Sequence, residues 1–294
     1  MDYAEQIIDG SGGRVLEIAT FGDPAARTVF FHHGTPGAAS TMRLMGPLAD
    51  DGQLYFVTMS RAGYGNSSRR EGRDVASVVD DVRVVLDALG RDRYVSLGWS
   101  GGGPHALACA ALDAPRCMAA VTLAGVVPID VDFDWTEGMG PENIEEFALA
   151  REGGPAYEAH VAEAAAQFGT ATADNVVELY DGLLSGADKA VLSDDVVREA
   201  FAQTNRDAFV RGYGGFYDDD RAFFSPWGFD PAAIAVPVEV WYGDEDLMVP
   251  PTHGEWLGRN ISTATPRHHP VEGHLSIYAN HVGELAAGLT QPFA

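Results

Sequence analysis

The residues best placed to do chemistry in this chain are a serine in the pentapeptide Gly98-Trp99-Ser100-Gly101-Gly102, a set of histidines and a late cluster of acids. A serine hydroxyl at its free pKa is a poor nucleophile. It attacks a carbonyl only from an exposed position, with a base to take its proton and donors aimed at the oxyanion. The pentapeptide follows an apolar run, Tyr94 to Leu97, and opens a helical segment, Pro104 to Leu112. Strand, turn and helix are the context that a Gly-x-Ser-x-Gly elbow requires, so Ser100 is read as the nucleophile and Gly98, Trp99 and Gly102 as parts of the elbow. The glycines let neighbouring backbone pass close to a strained serine. The helix amino terminus turns its free N–H groups toward developing negative charge.

Upstream, His32-His33-Gly34-Thr35-Pro36-Gly37 follows the apolar run Thr28 to His32 and sets a turn at the same end of the sheet. The backbone N–H groups of Thr35 and Gly101 are therefore assigned to an oxyanion hole. With an elbow of this kind the acid follows the serine in the chain and the histidine follows the acid. Gly243-Asp244-Glu245-Asp246-Leu247-Met248-Val249-Pro250 leads out of a late strand, and Gly273-His274-Leu275 lies shortly beyond. Asp246 and His274 are chosen as acid and base, with Asp244 and Glu245 close enough to leave the acid open. The acid would hold the imidazole tautomer and stabilise the imidazolium. His105, His253, His268 and His269 are read as packing or capping residues. The adjacent pairs His32-His33 and His268-His269 diverge in a strand, and no His-x-x-x-His helix or cysteine cluster occurs, so neither a metal nor a cofactor is expected.

These residues need a frame. From Val15 to Gly125 short apolar runs alternate with helical patterns, the mark of a mostly parallel, doubly wound α/β sheet. Strands are predicted over Val15 to Ala19, Thr28 to His32, Leu54 to Met59, Tyr94 to Leu97 and Ala119 to Leu123. The best helix runs from Asp74 to Leu89, with Val75, Val78, Val79, Val82, Val85, Leu86 and Leu89 at helical spacing, Asp74 capping its start and Gly90 its end. After Val127 the pattern turns to Ala- and Glu-rich helical stretches until about Phe224. The expected organisation is a core of residues 1–127 and 226–294 with an inserted helical cap, 128–225. A strand at Val238 to Tyr242, a helix around His253 to Leu257, a short strand over Thr265 to His269 and a final helix beyond His274 complete the core.

The cap's aromatics include Phe133, Trp135, Phe147, Tyr157, Phe168, Tyr180, Phe201, Phe209, Phe216, Tyr217, Phe223 and Phe224. Helical spacing makes most of them cap core, with roughly one in four facing a substrate.

Composition narrows the partners. The 294 residues are 46% hydrophobic and 21% charged, which suits a folded chain with a sizeable core. Lys and Arg total 19 against 43 Asp and Glu, and the net charge of −24 repels phosphate backbones and anionic membrane surfaces. A small-molecule substrate is expected, with no nucleic acid and no membrane, and at most a second copy of the chain as a homodimer. Cys109 and Cys117 read as free core thiols. Met1-Asp2-Tyr3-Ala4-Glu5-Gln6 lacks a basic segment before an apolar run, and no stretch approaches roughly 18 apolar residues, so a cytoplasmic location is expected.

With those motifs in place, the chain resembles α/β-hydrolases of the proline iminopeptidase-like and esterase-like kind, particularly the capped bacterial members. His33-Gly34-Thr35-Pro36-Gly37 is similar to the family's oxyanion motif. Ser60-Arg61-Ala62-Gly63-Tyr64-Gly65-Asn66-Ser67 resembles its Asp-x-Pro-Gly-x-Gly-x-Ser loop, with Ser60 and Ala62 standing where the family carries Asp and Pro. A serine nucleophile separates the chain from the dehalogenase and epoxide hydrolase branches, and Gly-Trp-Ser-Gly-Gly is not the Gly-Gly-Ser-Trp-Gly of true proline iminopeptidases. The ordered Ser100, Asp246 and His274 point to hydrolysis of a small, mostly uncharged ester, lactone or amide through an acyl-enzyme on Ser100. Carbon-carbon bond hydrolysis, perhydrolysis and a non-catalytic small-ligand receptor on the same fold are the alternatives.

Overall fold

The computed structural model describes residues 3–49 and 52–293. In chain order the elements are β1 (Tyr3–Asp9), β2 (Val15–Gly22), β3 (Arg27–His32), β4 (Leu54–Met59), α1 (Val78–Ala88), β5 (Tyr94–Trp99), α2 (Gly103–Leu112) and β6 (Cys117–Leu123). Six helices follow: α3 (Pro141–Glu152), α4 (Gly154–Phe168), α5 (Val176–Leu179), α6 (Gly186–Val191), α7 (Asp195–Ala208) and α8 (Gly214–Phe223). The chain then returns through β7 (Val238–Gly243), α9 (Pro251–Asn260), β8 (Ala264–His269), α10 (Ser276–Ala279) and α11 (Val282–Thr290).

The strands form one sheet in the order β1-β2-β4-β3-β5-β6-β7-β8. β2 runs antiparallel to β1 and β4, and the rest pair in parallel. Winding steps one way from β3 to β4 and the other way from β4 to β5. Right-handed crossovers in opposite directions fall on opposite faces, so the 3-10 segment Ala39–Ala49 and α1 cover different sides. Packing agrees: α1 meets α2, whereas the 3-10 segment meets α11. The direction of winding reverses between β3 and β5. A crevice opens at the carboxyl ends of two strands that flank such a reversal.

Apolar side chains explain the frame. β4 and β5 are buried along their whole length, as parallel central strands must be. α1 presents Val78, Val79, Val82, Val85 and Leu86 to the core. The inserted helices do not stand apart from the sheet. Trp135, Phe147, Phe201 and Phe223 join its buried cluster, and a smaller cluster around Tyr157, Val161, Phe209 and Phe216 takes in Tyr64.

Several expectations shift. β1 was not anticipated, because this edge strand is mostly exposed and carries no alternation to read. α1 starts at Val78 rather than Asp74: Asp74 Oδ1 instead accepts the N–H and hydroxyl of Ser77, which closes the turn before the helix. Gly90 does end the helix, at φ 63°. The final helix is two, broken at Asn280 and His281. Cys109 and Cys117 are buried and free. No helix among the described residues is long and apolar enough to cross a membrane.

Leu107 of α2 is fully buried between sheet and helix. Leu107→Ala is expected to cost about 2–5 kcal/mol in urea unfolding, since the rigid sheet cannot collapse around the cavity.

Candidate active site

β5 ends at Trp99, and Ser100 begins a single 3-10 turn that runs into α2. Ser100 sits at φ 57°, in the left-handed region that a residue with a Cβ avoids. Such a conformation costs about 1–3 kcal/mol and persists only where the surroundings over-determine it. Two glycines do that here. A Cβ on Gly98 would run into the Gly102 carbonyl, and one on Gly101 would run into the Thr35 side chain. The serine is thus pushed out beside the loop that follows β3. That loop and Ser100 occupy the two sides of the β3–β5 crevice.

The structure brings the expected partners together. His274 lies on the loop after β8, and its Nδ1 stands 2.8 Å from Asp246 Oδ2. Asp246 Oδ1 accepts the N–H groups of Met248 and Val249, each at 2.8 Å, so both carboxylate oxygens are committed. Asp244 does not compete: its Oδ1 pairs with His268 Nε2 at 2.7 Å on the surface. The His274 ring stacks on Trp99, whose indole N–H donates to the His274 carbonyl at 3.1 Å. With Nδ1 facing Asp246, Nε2 is the free nitrogen. His274, Ser100, Thr35 and Gly34 line one cavity, although Ser100 Oγ makes no hydrogen bond among the described residues. Burial alone would lower the His274 pKa, but the Asp246 charge and hydrogen bond, with Asp188 behind them, raise it above its ordinary value.

Thr35 and Gly101 lie side by side and both line a second cavity that also reaches Ser100. The Thr35 N–H donates to no backbone carbonyl among the described residues. The loop is held from behind by Arg61, which donates to the carbonyls of His33 and Gly34 and to Thr35 Oγ1. Arg61 also pairs with Asp219 of α8 at 2.6 Å. Asp219 accepts the Thr35 hydroxyl at 2.7 Å and pairs with Arg73 at 2.6 Å. All three charged side chains are buried. Burial would raise the Asp219 pKa, yet Arg61 and Arg73 outweigh it and hold the carboxyl well below the usual range.

A second carboxylate does the same for the histidine loop. Asp188 of α6 is fully buried and accepts the backbone N–H groups of His274, Leu275 and Ser276 at 2.7–3.1 Å. Neither Asp188 nor Asp219 was anticipated. The one sequence signal was the run Asp218-Asp219-Asp220 inside an aromatic-rich helix, where three consecutive acids cannot all face water.

His105 and His253 are structural. His105 touches Val75 and Asp219, and burial takes its pKa down to about 4. His253 accepts from the Val127 N–H and faces the Trp135 carbonyl; burial lowers it likewise to about 4. In the loop that begins at Ser60, the Ser60 hydroxyl donates to Glu17 at 2.6 Å and accepts from the Ala39 N–H.

The aromatic expectation was too low. Phe147, Phe168, Tyr180, Phe201, Phe216 and Phe223 line the cavities at Ser100, half of the twelve named above. The inserted helices lie directly over the crevice, so their inner faces serve as helix core and cavity wall together. An apolar trough of about 300 Å³ continues outward past Leu44, Trp99, Phe201 and Leu275. The opposite wall holds Glu146 and Asp220.

Removing Asp219 leaves two buried guanidinium groups short of a counter-charge. Asp219→Ala is expected to cost about 3–5 kcal/mol in urea unfolding. Asp181→Ala, which breaks the exposed pair with Lys189, should cost about 0–1 kcal/mol. Equal losses would refute the role given to the Asp219 cluster.

A family model described as the α/β hydrolase fold matches residues 27–143. No curated protein matches the sequence. Among solved structures, an α/β hydrolase fold protein from Nakamurella multipartita is 20% identical at a TM-score of 0.69, covering 99% of this chain and 100% of that one. An esterase from Exiguobacterium antarcticum is 17% identical at a TM-score of 0.71, covering 98% of both chains. An enol-lactonase from Burkholderia xenovorans is 19% identical at a TM-score of 0.63, covering 98% of this chain and 99% of the other. The matched segment spans β3, β5 and the Ser100 elbow, and the likeness extends over the whole sheet and insertion: this chain is a protein of the α/β-hydrolase fold.

Proposed function

We propose that the chain is a serine hydrolase that cleaves a small, mostly uncharged ester, lactone or amide through an acyl-enzyme on Ser100. The observation that carries this reading is the left-handed Ser100 in one cavity with His274, whose Nδ1 is held by Asp246 at 2.8 Å. An esterase and a lactonase among the structural neighbours support the reaction class. The largely apolar cavity walls support a substrate without strong charge.

In this reading the Ser100 hydroxyl attacks the carbonyl carbon while His274 Nε2 takes its proton. The oxyanion is stabilised by the N–H groups of Thr35 and Gly101. His274 then gives the proton to the leaving oxygen or nitrogen, and the acyl group stays on Ser100. Water, deprotonated by His274, attacks the acyl-enzyme and releases the acid and the free serine. Asp246 keeps the proton on Nδ1 and balances the imidazolium formed in each half-reaction.

Ser100→Ala should lower kcat for p-nitrophenyl ester hydrolysis by about 10⁴-fold or more and abolish labelling by a fluorophosphonate. Wild-type turnover in that variant would rule out the acyl-enzyme.

The reaction needs neutral His274, and its pKa is raised. The acid limb of kcat/KM should therefore have its midpoint above about 6.5, with activity rising as pH rises through it. Asp246→Asn removes the main raising influence, so the limb should move to lower pH while the plateau rate falls by about 10⁴-fold. A limb that stays in place in this variant would show that another group titrates.

A further inference from the structure

At the outer edge of the sheet the end of β8 meets the start of α11. His269, His281 and Glu284 come together there, each offering one ligand atom, all within 4.8 Å of one another. We propose that these three side chains bind one divalent transition-metal ion of the zinc class.

The chemistry of the set fits. Two imidazoles and one carboxylate suit zinc and its neighbours, and three protein ligands leave a fourth position for water. Around a zinc ion with bonds of about 2.0–2.1 Å, tetrahedral donors lie roughly 3.3 Å apart, so side-chain rotation of about an ångström closes the set.

Two further observations point to a ligand. His269 Nε2 is buried and hydrogen-bonded to nothing among the described residues, although a buried ring nitrogen ordinarily finds a partner. His281 Nε2 faces Glu272 Oε1 at 3.2 Å, which places the ring proton there and leaves Nδ1, 3.9 Å from Glu284 Oε2, with its lone pair free. A carboxylate behind a histidine is the arrangement that orients metal-binding imidazoles. Glu272 is itself fixed by Asn280, which donates to both of its oxygens. The His269 and His281 rings pack with centroids 4.0 Å apart, and Trp241 stacks on the far face of the cluster through His269.

The divergence of His268 and His269 noted in the sequence is real and produces the site. His268 turns outward to Asp244, while His269 turns to the other face and meets α11. Two nearby positive influences oppose a cation: Arg267, whose Nη1 is 3.8 Å from Glu284 Oε1, and the amino end of α11. The charges of Glu272 and Glu284 offset them, and the second Glu284 oxygen faces His281 rather than Arg267.

The test uses the untagged full chain, stripped with chelator and titrated with zinc by calorimetry and with cobalt by visible absorption. Wild type is expected to take up one equivalent and to show the absorption of a four- or five-coordinate cobalt site. His269→Gln and Glu284→Gln should each weaken zinc binding by about tenfold or more, and the double variant should abolish it. His268→Gln should bind as wild type does. Fluorophosphonate labelling of Ser100 serves as the check that each variant is folded. No uptake by wild type at millimolar zinc, or unchanged affinity in the folded double variant, would overturn the site and show a histidine stack paired with glutamates only.

Discussion

Everything at the site depends on one backbone constraint, the left-handed conformation of Ser100 between β5 and α2. It turns the side chain out of the sheet at the point where the winding reverses, and it needs backbone on every side to hold it. The glycines at 98 and 101 are the reason the neighbouring segments come close enough to do so. The strain is local, and the rigidity that supports it comes from the fully buried central strands β4 and β5 and from α2, which is buried nearly all round.

The second constraint is how the helical insertion is joined to the two loops that face Ser100. Packing alone would leave those loops free to slide, since apolar contact has no direction. Hydrogen bonds to a buried charge do have direction. Asp219 from α8 fixes the loop after β3 through Thr35 and Arg61, and Asp188 from α6 fixes the loop after β8 through three consecutive N–H groups. The insertion therefore sets the geometry of the loops as well as covering the crevice. Opening it as a rigid lid would break both sets of bonds, which argues for substrate entry past the apolar trough at Leu44 and Phe201.

What could be read from the residues follows from the range of the interactions. Ser100, Thr35, Gly101, Asp246 and His274 are legible because each sits in a short motif whose glycines and flanking strand are contiguous in sequence. The central strands are legible because burial on both faces makes them continuous apolar runs. β1 is not, because an edge strand that faces water on most positions carries no such run. Asp188 and Asp219 are not legible as positioning groups, because their partners lie more than 80 residues away in the chain. Asp74 was misplaced by one turn for a related reason: an Asp before a helical run reads as a cap whether it serves the helix or, as here, the turn preceding it.

Buried carboxylates near Ser100 are treated in two opposite ways. Asp219, Asp188 and Asp246 are each surrounded by cations or N–H donors, so their charge is met and their geometry is fixed. Asp220, the next residue after Asp219, is not treated so. Burial and the nearby Glu146 push its pKa well above the carboxylate range, and only the Tyr157 hydroxyl reaches it, leaving Oδ1 without a partner among the described residues. One helix thus presents to the loop that faces Ser100 an acid whose charge is met and, one residue later, to the aromatic cavity an acid whose charge is opposed by burial and by Glu146. The cavity at Ser100 is in consequence lined by aromatic and aliphatic side chains with Asn143, Glu146 and Asp220 set among them, and of these polar groups Asp220 is the one whose second oxygen has no partner among the described residues.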